Sequence, residues 1–181
     1  MNMIEIDGLK FEVLISSQQI LDKISLIADD ISLNHKNELP IFLIVLNGAS
    51  VFAAELLKHL DPQFEISIIK VHSYDGSSST GNISIDYMPS NRVLGRDVLL
   101  IEDIVDSGLT LDFLTKELKL HGAKTVSCAS LLFKPNKYKY NLEPNYIGFE
   151  IGDEFVVGYG MDFNQKGRSL KHIYKNIINI N

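Results

Sequence analysis

The fold is decided by the stretch Val98-Leu99-Leu100-Ile101-Glu102-Asp103-Ile104-Val105-Asp106-Ser107-Gly108-Leu109-Thr110-Leu111. Its apolar start, residues 98–101, predicts a buried strand. Two adjacent carboxylates follow, then a third at Asp106, and then a Ser-Gly-x-Thr turn that opens a helical pattern. This order of strand, polar turn and helix is typical of an open α/β sheet, in which ligands bind beyond the carboxyl ends of the strands.

The rest of the chain repeats the alternation of strands and helices. Continuous apolar runs, which suit parallel strands covered on both faces, occur at residues 41–46, 66–71, 98–101, 125–132 and 146–149. Helical spacing follows Ser16 and Ser17, either of which is a predicted N-cap, and recurs over residues 52–60 and 111–118, with Gly122 as a C-terminal signal. Two further short strands are predicted at residues 155–157 and 171–174. The sequence therefore predicts an α/β fold with a central, mostly parallel sheet flanked by helices.

Length, composition and charge limit the function classes. The 181 residues, 45% of them hydrophobic and 22% charged, predict a single globular domain over residues 1–181, since a domain takes about 100–200 residues. The net charge of −6 argues against a duplex-binding protein, which would carry a basic stripe. There is neither a recognisable signal peptide after Met1 nor a run of ~18 apolar residues, and the lone Cys128 suits a packing role. We therefore expect a cytoplasmic protein without nucleic-acid or membrane partners.

The turn after residues 98–105 has the chemistry of a phosphate site. A helix start offers unpaired backbone N–H groups, and the Ser107 and Thr110 hydroxyls add donors. Gly108 would let the backbone come close to the phosphate. Glu102 and Asp103 leave the strand on opposite sides, where they can accept from a vicinal diol or bind hydrated Mg²⁺.

A plain helix start, with Asp106 and Ser107 as capping residues, is the simpler interpretation of this turn. It leaves Glu102 and Asp103 unexplained, because carboxylates at the end of a buried run are costly without partners. Neither a Walker A loop nor a Gly-x-Gly-x-x-Gly fingerprint follows any predicted strand. We therefore favour a ligand-binding turn of another kind.

The stretch closely resembles the phosphoribosyl pyrophosphate (PRPP) motif of type I phosphoribosyltransferases, in which an apolar strand, Glu-Asp, two apolar residues and Asp-Ser/Thr-Gly-x-Thr follow one another. Further segments resemble hypoxanthine phosphoribosyltransferases in order and spacing, so that the resemblance covers roughly residues 2–174. These segments are Leu46-Asn47-Gly48-Ala49, Ser73-Tyr74 with Ser79-Thr80-Gly81, Phe133-Lys134, Phe149-Glu150-Ile151, residues 155–162 and Arg168. The sequence is identified as a member of that family.

The resemblance implies the type I phosphoribosyltransferase fold. It implies a core of about residues 16–150, a small hood from about residues 1–15 and 151–181, and a mobile lid loop that carries Ser73 and Tyr74. In the family the Leu46–Asn47 peptide is cis or can become so, and many relatives have lysine where Asn47 stands. A charged contact to pyrophosphate would then be missing here.

The resemblance also implies a role for each site residue. Asp106 is the implied catalytic base, beside purine N7. The residues implied to bind PRPP and its phosphates are Glu102, Asp103, Ser107, Gly108, Leu109, Thr110, Asn47, Gly48 and Arg168. Those implied to bind the purine are Lys134, which donates to the 6-oxo group, Phe155, which stacks on the base, Val156 and Asp162. The implied cofactor is Mg²⁺, with Glu102, Asp103 and Asp162 as metal ligands.

The implied reaction transfers the 5-phosphoribosyl group from PRPP to hypoxanthine, guanine or both, giving IMP or GMP and pyrophosphate, in a homo-oligomer (dimer or tetramer). Two alternatives stay open: a phosphoribosyltransferase for adenine, xanthine or uracil, and a non-catalytic regulator that binds PRPP and contacts nucleic acid. Lys134 favours a 6-oxopurine, because an ammonium group can donate to an oxo group but cannot accept from the amino group of adenine. The regulator would need a basic face, and this acidic chain lacks an added DNA-binding segment.

Overall fold

The computed structural model describes residues 3–35, 38–73 and 83–177. Its strands are β1 (Met3–Ile6), β2 (Leu9–Ile15), β3 (Ile41–Leu46), β4 (Ile66–Ser73), β5 (Ile83–Tyr87), β6 (Asp97–Val105), β7 (Thr125–Phe133), β8 (Tyr146–Glu150), β9 (Val156–Val157) and β10 (Ile173–Asn176). Its helices are α1 (Ser17–Asn34), α2 (Ser50–Leu56), α3 (Ser90–Val93) and α4 (Leu109–Leu120), and a 3-10 turn, Leu57–His59, continues α2. The predicted alternation of strands and helices is confirmed.

The central sheet has six strands in the order β5-β4-β3-β6-β7-β8. All neighbouring pairs are parallel except β4 and β5, which are antiparallel at one edge. Its middle is apolar on both faces: residues 41–45 of β3 and 98–101 of β6 are all buried, as their continuous apolar runs predict. The predicted central, mostly parallel sheet is therefore confirmed.

Helices cover both faces of this sheet. On one face, α1 buries Ile20, Ile24, Ile27, Ala28 and Ile31. On the other face, α4 buries Leu111, Leu114 and Leu118. The predicted N-cap Ser16 is confirmed, because its hydroxyl accepts from the Gln19 N–H while the Gln19 side chain accepts from the Ser16 N–H. Packing on both faces holds the carboxyl end of β6 in a fixed place.

A second sheet, which we call the hood sheet, is antiparallel with the order β1-β2-β10-β9 and is built from both ends of the chain. Phe11, Val157 and Tyr174 form a small core of its own. Ile15 and Ile173 also belong to the main core under the central sheet. The hood sheet is thus packed against the rest of the molecule through shared apolar side chains.

Some predicted boundaries were wrong. β6 runs to Val105 instead of ending at residue 101, because β7 continues beside it as a pairing partner up to Phe133. Glu102 and Asp103 therefore lie inside the strand and not beyond it. In the tail, β9 begins at Val156 and β10 at Ile173.

The predicted lid loop falls at the end of β4. Ser73 is the last residue of that strand, whereas Tyr74 and the Ser79-Thr80-Gly81 segment lie outside the described residues. A search of the described helices finds none that is both long and apolar enough to cross a membrane.

Candidate active site

The carboxyl ends of β3 and β6 lie side by side at the topological switch point of the sheet, where the strand order reverses. From β3 the chain crosses to β4 on one side, while β6 lies on the other side of β3. The loops that leave two such strands diverge and open a crevice, which is the usual ligand site of open α/β sheets. Here the two loops are residues 47–49 and residues 106–108.

Residues 106–108, which we call the phosphate turn, lead from β6 into α4. Gly108 is the N-cap of α4 with φ +85°, and the Ser107 hydroxyl accepts from the Leu109 N–H at 3.4 Å. The turn lines a cavity of about 90 Å³ together with Glu102, Ile104, Val105 and the start of α4. Because the first N–H groups of a helix have no intrahelical partner, this cavity can accept an anion.

Gly108 is also required by the side chains that pack on it. A side chain at this position would collide with the rings of Tyr138 and Tyr140, and φ +85° is a conformation that other residues rarely adopt. The space that a Cβ atom on residue 108 would need is thus filled by the two tyrosine rings. The expectation that this glycine lets the backbone come close to a phosphate stays a prediction.

Asp106 is paired with a buried lysine. The Lys134 ammonium, whose side chain is 4% exposed, donates to Asp106 Oδ2 at 2.9 Å. Lys137 Nζ lies 3.7 Å from Asp106 Oδ1. The capping interpretation of Asp106 is therefore wrong, since Gly108 is the N-cap and Asp106 turns towards the lysines. An ammonium group has three N–H donors, so Lys134 keeps donors for a ligand.

Asp103 reaches from β6 to the loop after β3. A side chain on Gly48 would overlap the Asp103 carboxyl, so that only glycine permits this contact. Burial raises the pKa of Asp103 to about 6, although the N–H groups of Asp103 and Ile104 and the Arg168 guanidinium work against the shift. The loop also contains the cis Leu46–Asn47 peptide, as the resemblance implies, and Asn47 is exposed.

Glu102 lies on the opposite face of β6 from Asp103. It lines the cavity of the phosphate turn and is only 5% exposed. Burial, with a smaller contribution from the Asp103 charge, raises the pKa of Glu102 well above its usual value. No ion pair reaches its carboxyl from the lysines, arginines and histidines in the described ranges. Such a carboxyl is stabilised by a ligand hydroxyl or a cation.

The three predicted metal ligands do not converge. Glu102 and Asp103 lie on opposite faces because side chains alternate along a strand, and Asp162 is held by Arg168 Nη2 at 2.6 Å. Among the residues that the structure covers, no three His, Cys, Asp or Glu side chains form a metal cluster. Mg²⁺ is usually bound by one or two carboxylates plus water and substrate phosphates. The buried Glu102 and the half-buried Asp103 therefore fit Mg²⁺ together with a substrate, but not by themselves.

Part of the hood covers this crevice. A side chain on Gly160 would collide with the Gly48 carbonyl, so the two loops are in close contact. Arg168 Nη1 donates to the Gly160 carbonyl at 2.9 Å. The charges of Arg168 and Asp162 both act on Asp103. The hood thus brings the predicted Arg168 and Asp162 to the loop that follows β3.

The two remaining predicted purine-binding residues differ in burial. Phe155 is 46% exposed, with its ring edge-on to Phe163 at 5.7 Å between centroids. A half-exposed aromatic ring can stack on a flat base. Val156 is buried in the main core, so its side chain contributes to packing.

Sequence reasoning missed the residues that follow Lys134. Lys137 lies near the second oxygen of Asp106, and Tyr138 and Tyr140 pack on Gly108. The signal available in the sequence was that these three residues follow Lys134 by only three, four and six positions. A segment that leaves one strand beside the phosphate turn must pass over that turn.

An open α/β sheet with an anion-binding turn and buried carboxyls at its switch point defines a protein that binds a phosphorylated ligand. Residues 14–164 match the phosphoribosyl transferase domain. The chain is 38% identical over 163 residues to the hypoxanthine-guanine phosphoribosyltransferase of Bacillus subtilis, covering 90% of this chain and 91% of that protein.

Solved structures agree with this match. The crystal structure of a hypoxanthine-guanine phosphoribosyltransferase from Bacillus anthracis, with a HEPES molecule in the active site, superposes with a TM-score of 0.86 at 36% identity, over 92% of this chain and 98% of that one. A hypoxanthine phosphoribosyltransferase from Staphylococcus aureus gives 0.85 at 32% identity, over 92% and 91%. The chain belongs to the phosphoribosyltransferase family, among its hypoxanthine-guanine phosphoribosyltransferases.

Proposed function

We propose that the protein transfers the 5-phosphoribosyl group of PRPP to hypoxanthine and guanine, giving IMP and GMP with release of pyrophosphate. The observation that carries this proposal is the ion pair between Asp106 and the buried Lys134 beside the phosphate turn. One crevice then holds an anion site, a proton acceptor and a donor for an oxo group. That combination suits a sugar phosphate and a 6-oxopurine.

The phosphate turn is proposed to bind the 5-phosphate of PRPP. The N–H groups of Leu109 and Thr110 and the hydroxyls of Ser107 and Thr110 supply donors at the start of α4, where the helix dipole also favours an anion. Glu102 lines the same cavity and can accept from the ribose hydroxyls. Binding at these points orients C1 of the sugar towards the base site.

Lys134 is proposed to choose the base. One of its three N–H groups is taken by Asp106 at 2.9 Å, and another can donate to the 6-oxo group of hypoxanthine or guanine. Adenine presents an amino group there, which would leave the buried ammonium facing a donor. Phe155 and Val156 flank the base site in this proposal, with the Phe155 ring stacked on the purine.

Asp106 is proposed to accept the proton of the base. The bond from C1 to the pyrophosphate oxygen breaks as the bond from C1 to a purine nitrogen forms, and the proton at N7 passes to the carboxylate. Asp106 Oδ2 is engaged by Lys134, whereas Lys137 at 3.7 Å from Oδ1 is beyond ordinary hydrogen-bond distance. Oδ1 is thus the oxygen that faces a ligand.

The departing pyrophosphate is proposed to lie at Asn47, Gly48 and Arg168, with Asp103 and Asp162 beside it. Family catalysis generally involves a metal ion, and we propose Mg²⁺ with Glu102, Asp103 and Asp162 as candidate ligands. Because Glu102 and Asp103 lie on opposite faces of β6, one ion would be held by Asp103 and Asp162 together with substrate oxygens, and Glu102 would reach it only through the bound substrate. When bound, Mg²⁺ neutralises charge on the diphosphate. The guanidinium of Arg168 supplies charge-assisted hydrogen bonds to the same group.

The proposal extends to the whole chain. We propose a single domain over residues 1–181, with a core of about residues 16–150 and a hood from the two ends, and a cytoplasmic homo-oligomer. Ser73 and Tyr74 are proposed to belong to a lid that keeps water from the activated sugar.

A product assay tests this function. The purified protein is incubated with PRPP, Mg²⁺ and one base at a time, and nucleotide and pyrophosphate are measured together. We expect equimolar IMP or GMP and pyrophosphate from hypoxanthine or guanine. PRPP binding without transfer to any base would instead favour the non-catalytic regulator, and preferred transfer to uracil or adenine would favour a different base specificity.

A further inference from the structure

We propose that Tyr138 is a positioning residue that holds the phosphate turn in its binding geometry. The proposal rests on the function proposed above, in which this turn binds the 5-phosphate of PRPP. Tyr138 does not line the cavity of the turn. It contacts the turn on the side that faces away from the cavity, at the backbone of residues 107 and 108.

The ring of Tyr138 occupies the space into which a side chain on Gly108 would project. Gly108 is buried and sits at φ +85°, and as the N-cap it has no side chain that could bond the first N–H groups of the helix. A glycine loses more conformational freedom on ordering than any other residue. The turn therefore depends on neighbouring groups for its shape, and the rings of Tyr138 and Tyr140 are in contact with it, that of Tyr138 more closely.

A backbone hydrogen bond joins the same two segments. The N–H of Lys139, the residue after Tyr138, donates to the Ser107 carbonyl at 3.2 Å. Ser107 and Gly108 are thus both contacted by residues 138–140, one through a hydrogen bond and the other through aromatic rings. These contacts leave the cavity side of the turn available for an anion.

Tyr138 is itself held from three sides. Its ring meets the Phe133 ring edge-on at 5.2 Å and the Tyr140 ring at 6.2 Å between centroids. Its hydroxyl donates to the Leu142 carbonyl. Since Phe133 ends β7 and lies beside Val105 of β6, Tyr138 transfers the fixed position of the central sheet to the turn.

A turn held in advance binds its ligand more tightly, because less conformational entropy is lost on binding. Tyr138→Ala should therefore weaken phosphate binding by roughly five- to tenfold, the effect of losing about one aromatic packing interaction. The transfer step, once PRPP is bound, should change little. A merely structural role would lower thermal stability without this selective effect.

The test measures ribose 5-phosphate binding by isothermal titration calorimetry, together with kcat and KM for PRPP and hypoxanthine. Tyr138→Ala should raise the Kd of ribose 5-phosphate and the KM of PRPP in parallel. Tyr138→Phe keeps the ring and should stay within about twofold of the parent protein. The matched control is Tyr146→Ala, which removes a tyrosine from the amino end of β8, where its hydroxyl bonds Asn34 and His35.

The positioning role is overturned if Tyr138→Ala lowers only the melting temperature, or if Tyr146→Ala raises the Kd equally. If Tyr138→Ala does not fold, Tyr138→Leu is measured instead. Leucine fills the space but has no flat ring, so the same parallel rise of the Kd of ribose 5-phosphate and the KM of PRPP is expected. Ribose 5-phosphate binding that depends on Tyr138, in a protein that transfers no base, would support the positioning role while contradicting the proposed transferase function.

Discussion

Lys134 Nζ and Asp106 Oδ2 lie 2.9 Å apart at the carboxyl ends of neighbouring strands, although the two residues are 28 positions apart in the chain. This proximity follows from the register of the two strands. Val105 of β6 is paired with Phe133 of β7, and Asp106 and Lys134 are the residues that directly follow these two in the chain. The Lys134 N–H also donates to the Val105 carbonyl at 3.0 Å. The register of β6 and β7 therefore places a carboxylate beside a buried ammonium.

Asp106→Asn tests the proton acceptor. The asparagine oxygen can still accept from Lys134, so the fold should survive with a modest loss of stability. General acid–base help is typically worth ~10²–10⁴ in rate, and kcat should fall by that order while the Kd of ribose 5-phosphate stays nearly constant. Steady-state kinetics with calorimetry check this. Near-normal turnover would mean that Asp106 only neutralises Lys134.

Gly48→Ala tests the contact between the loop after β3 and Asp103. The added methyl group overlaps the Asp103 carboxyl and should displace it, lowering kcat/KM for PRPP by about 10²-fold, the effect of misplacing an orienting group by ~1 Å. The matched control is Gly95→Ala, where no atom lies within 4 Å of the added methyl group and only the φ of +71° is strained. That control should lose stability alone, and an equal loss of kcat/KM in both variants would contradict the prediction.

Asp103 should make the free energy of unfolding depend on pH. Its pKa is about 6 when folded, against an ordinary value of 3.8, so the folded protein retains a proton that the unfolded chain has lost. Stability should therefore fall as pH rises from about 4 to 7. In metal-free buffer at pH 8, Asp103→Asn should be more stable than the parent by roughly 1–3 kcal/mol, while losing activity. Urea titrations at pH 5 and pH 8 measure this, and a variant less stable at pH 8 would refute the burial argument.

Turnover should require a divalent cation. The motivating observation is two carboxyls of β6 whose pKa values are raised by burial: Asp103, which would face the diphosphate, and Glu102, which would face the ribose hydroxyls. Excess chelator should abolish transfer, and Mg²⁺ or Mn²⁺ should restore it. Full turnover in chelator would exclude the proposed metal role, while unchanged melting temperature in chelator would show that the loss is not due to unfolding.

Much of the fold follows from local sequence patterns. Continuous apolar runs predict the central strands, because a parallel sheet is covered on both faces, and an N-cap at Ser16 or Ser17 predicts the start of α1, where the structure shows a capping box at Ser16. The end of β6 could not be predicted in this way. Glu102 and Asp103 look like the end of a strand, yet β7 pairs alongside them, and such pairing is not visible in the local sequence.

The sequence motifs propose residues for the candidate site, whose binding roles stay predictions, but they did not predict the contacts among those residues. The motif from Glu102 to Thr110 predicts the phosphate turn, whereas the ion pair of Asp106 with Lys134 depends on the register between two strands. The packing of other side chains on Gly108 was not predicted for the same reason. Its neighbours Tyr138 and Tyr140 come from a segment about 30 residues further along the chain, and a sequence motif does not show which side chains pack on it.

The most direct measurement is the ratio of kcat/KM for hypoxanthine to that for adenine, with PRPP and Mg²⁺ in excess. Lys134 is buried and keeps donors beyond the one that Asp106 accepts, so a 6-oxo group should be preferred. Leaving a buried donor facing an amino group costs ~1–3 kcal/mol, which predicts a ratio of roughly ten to a hundred or more. The same ratio should fall towards one in Lys134→Met, which keeps the length of the side chain without its charge. Equal kcat/KM for the two bases in the parent protein would contradict the assignment of Lys134 and with it the proposed 6-oxopurine specificity.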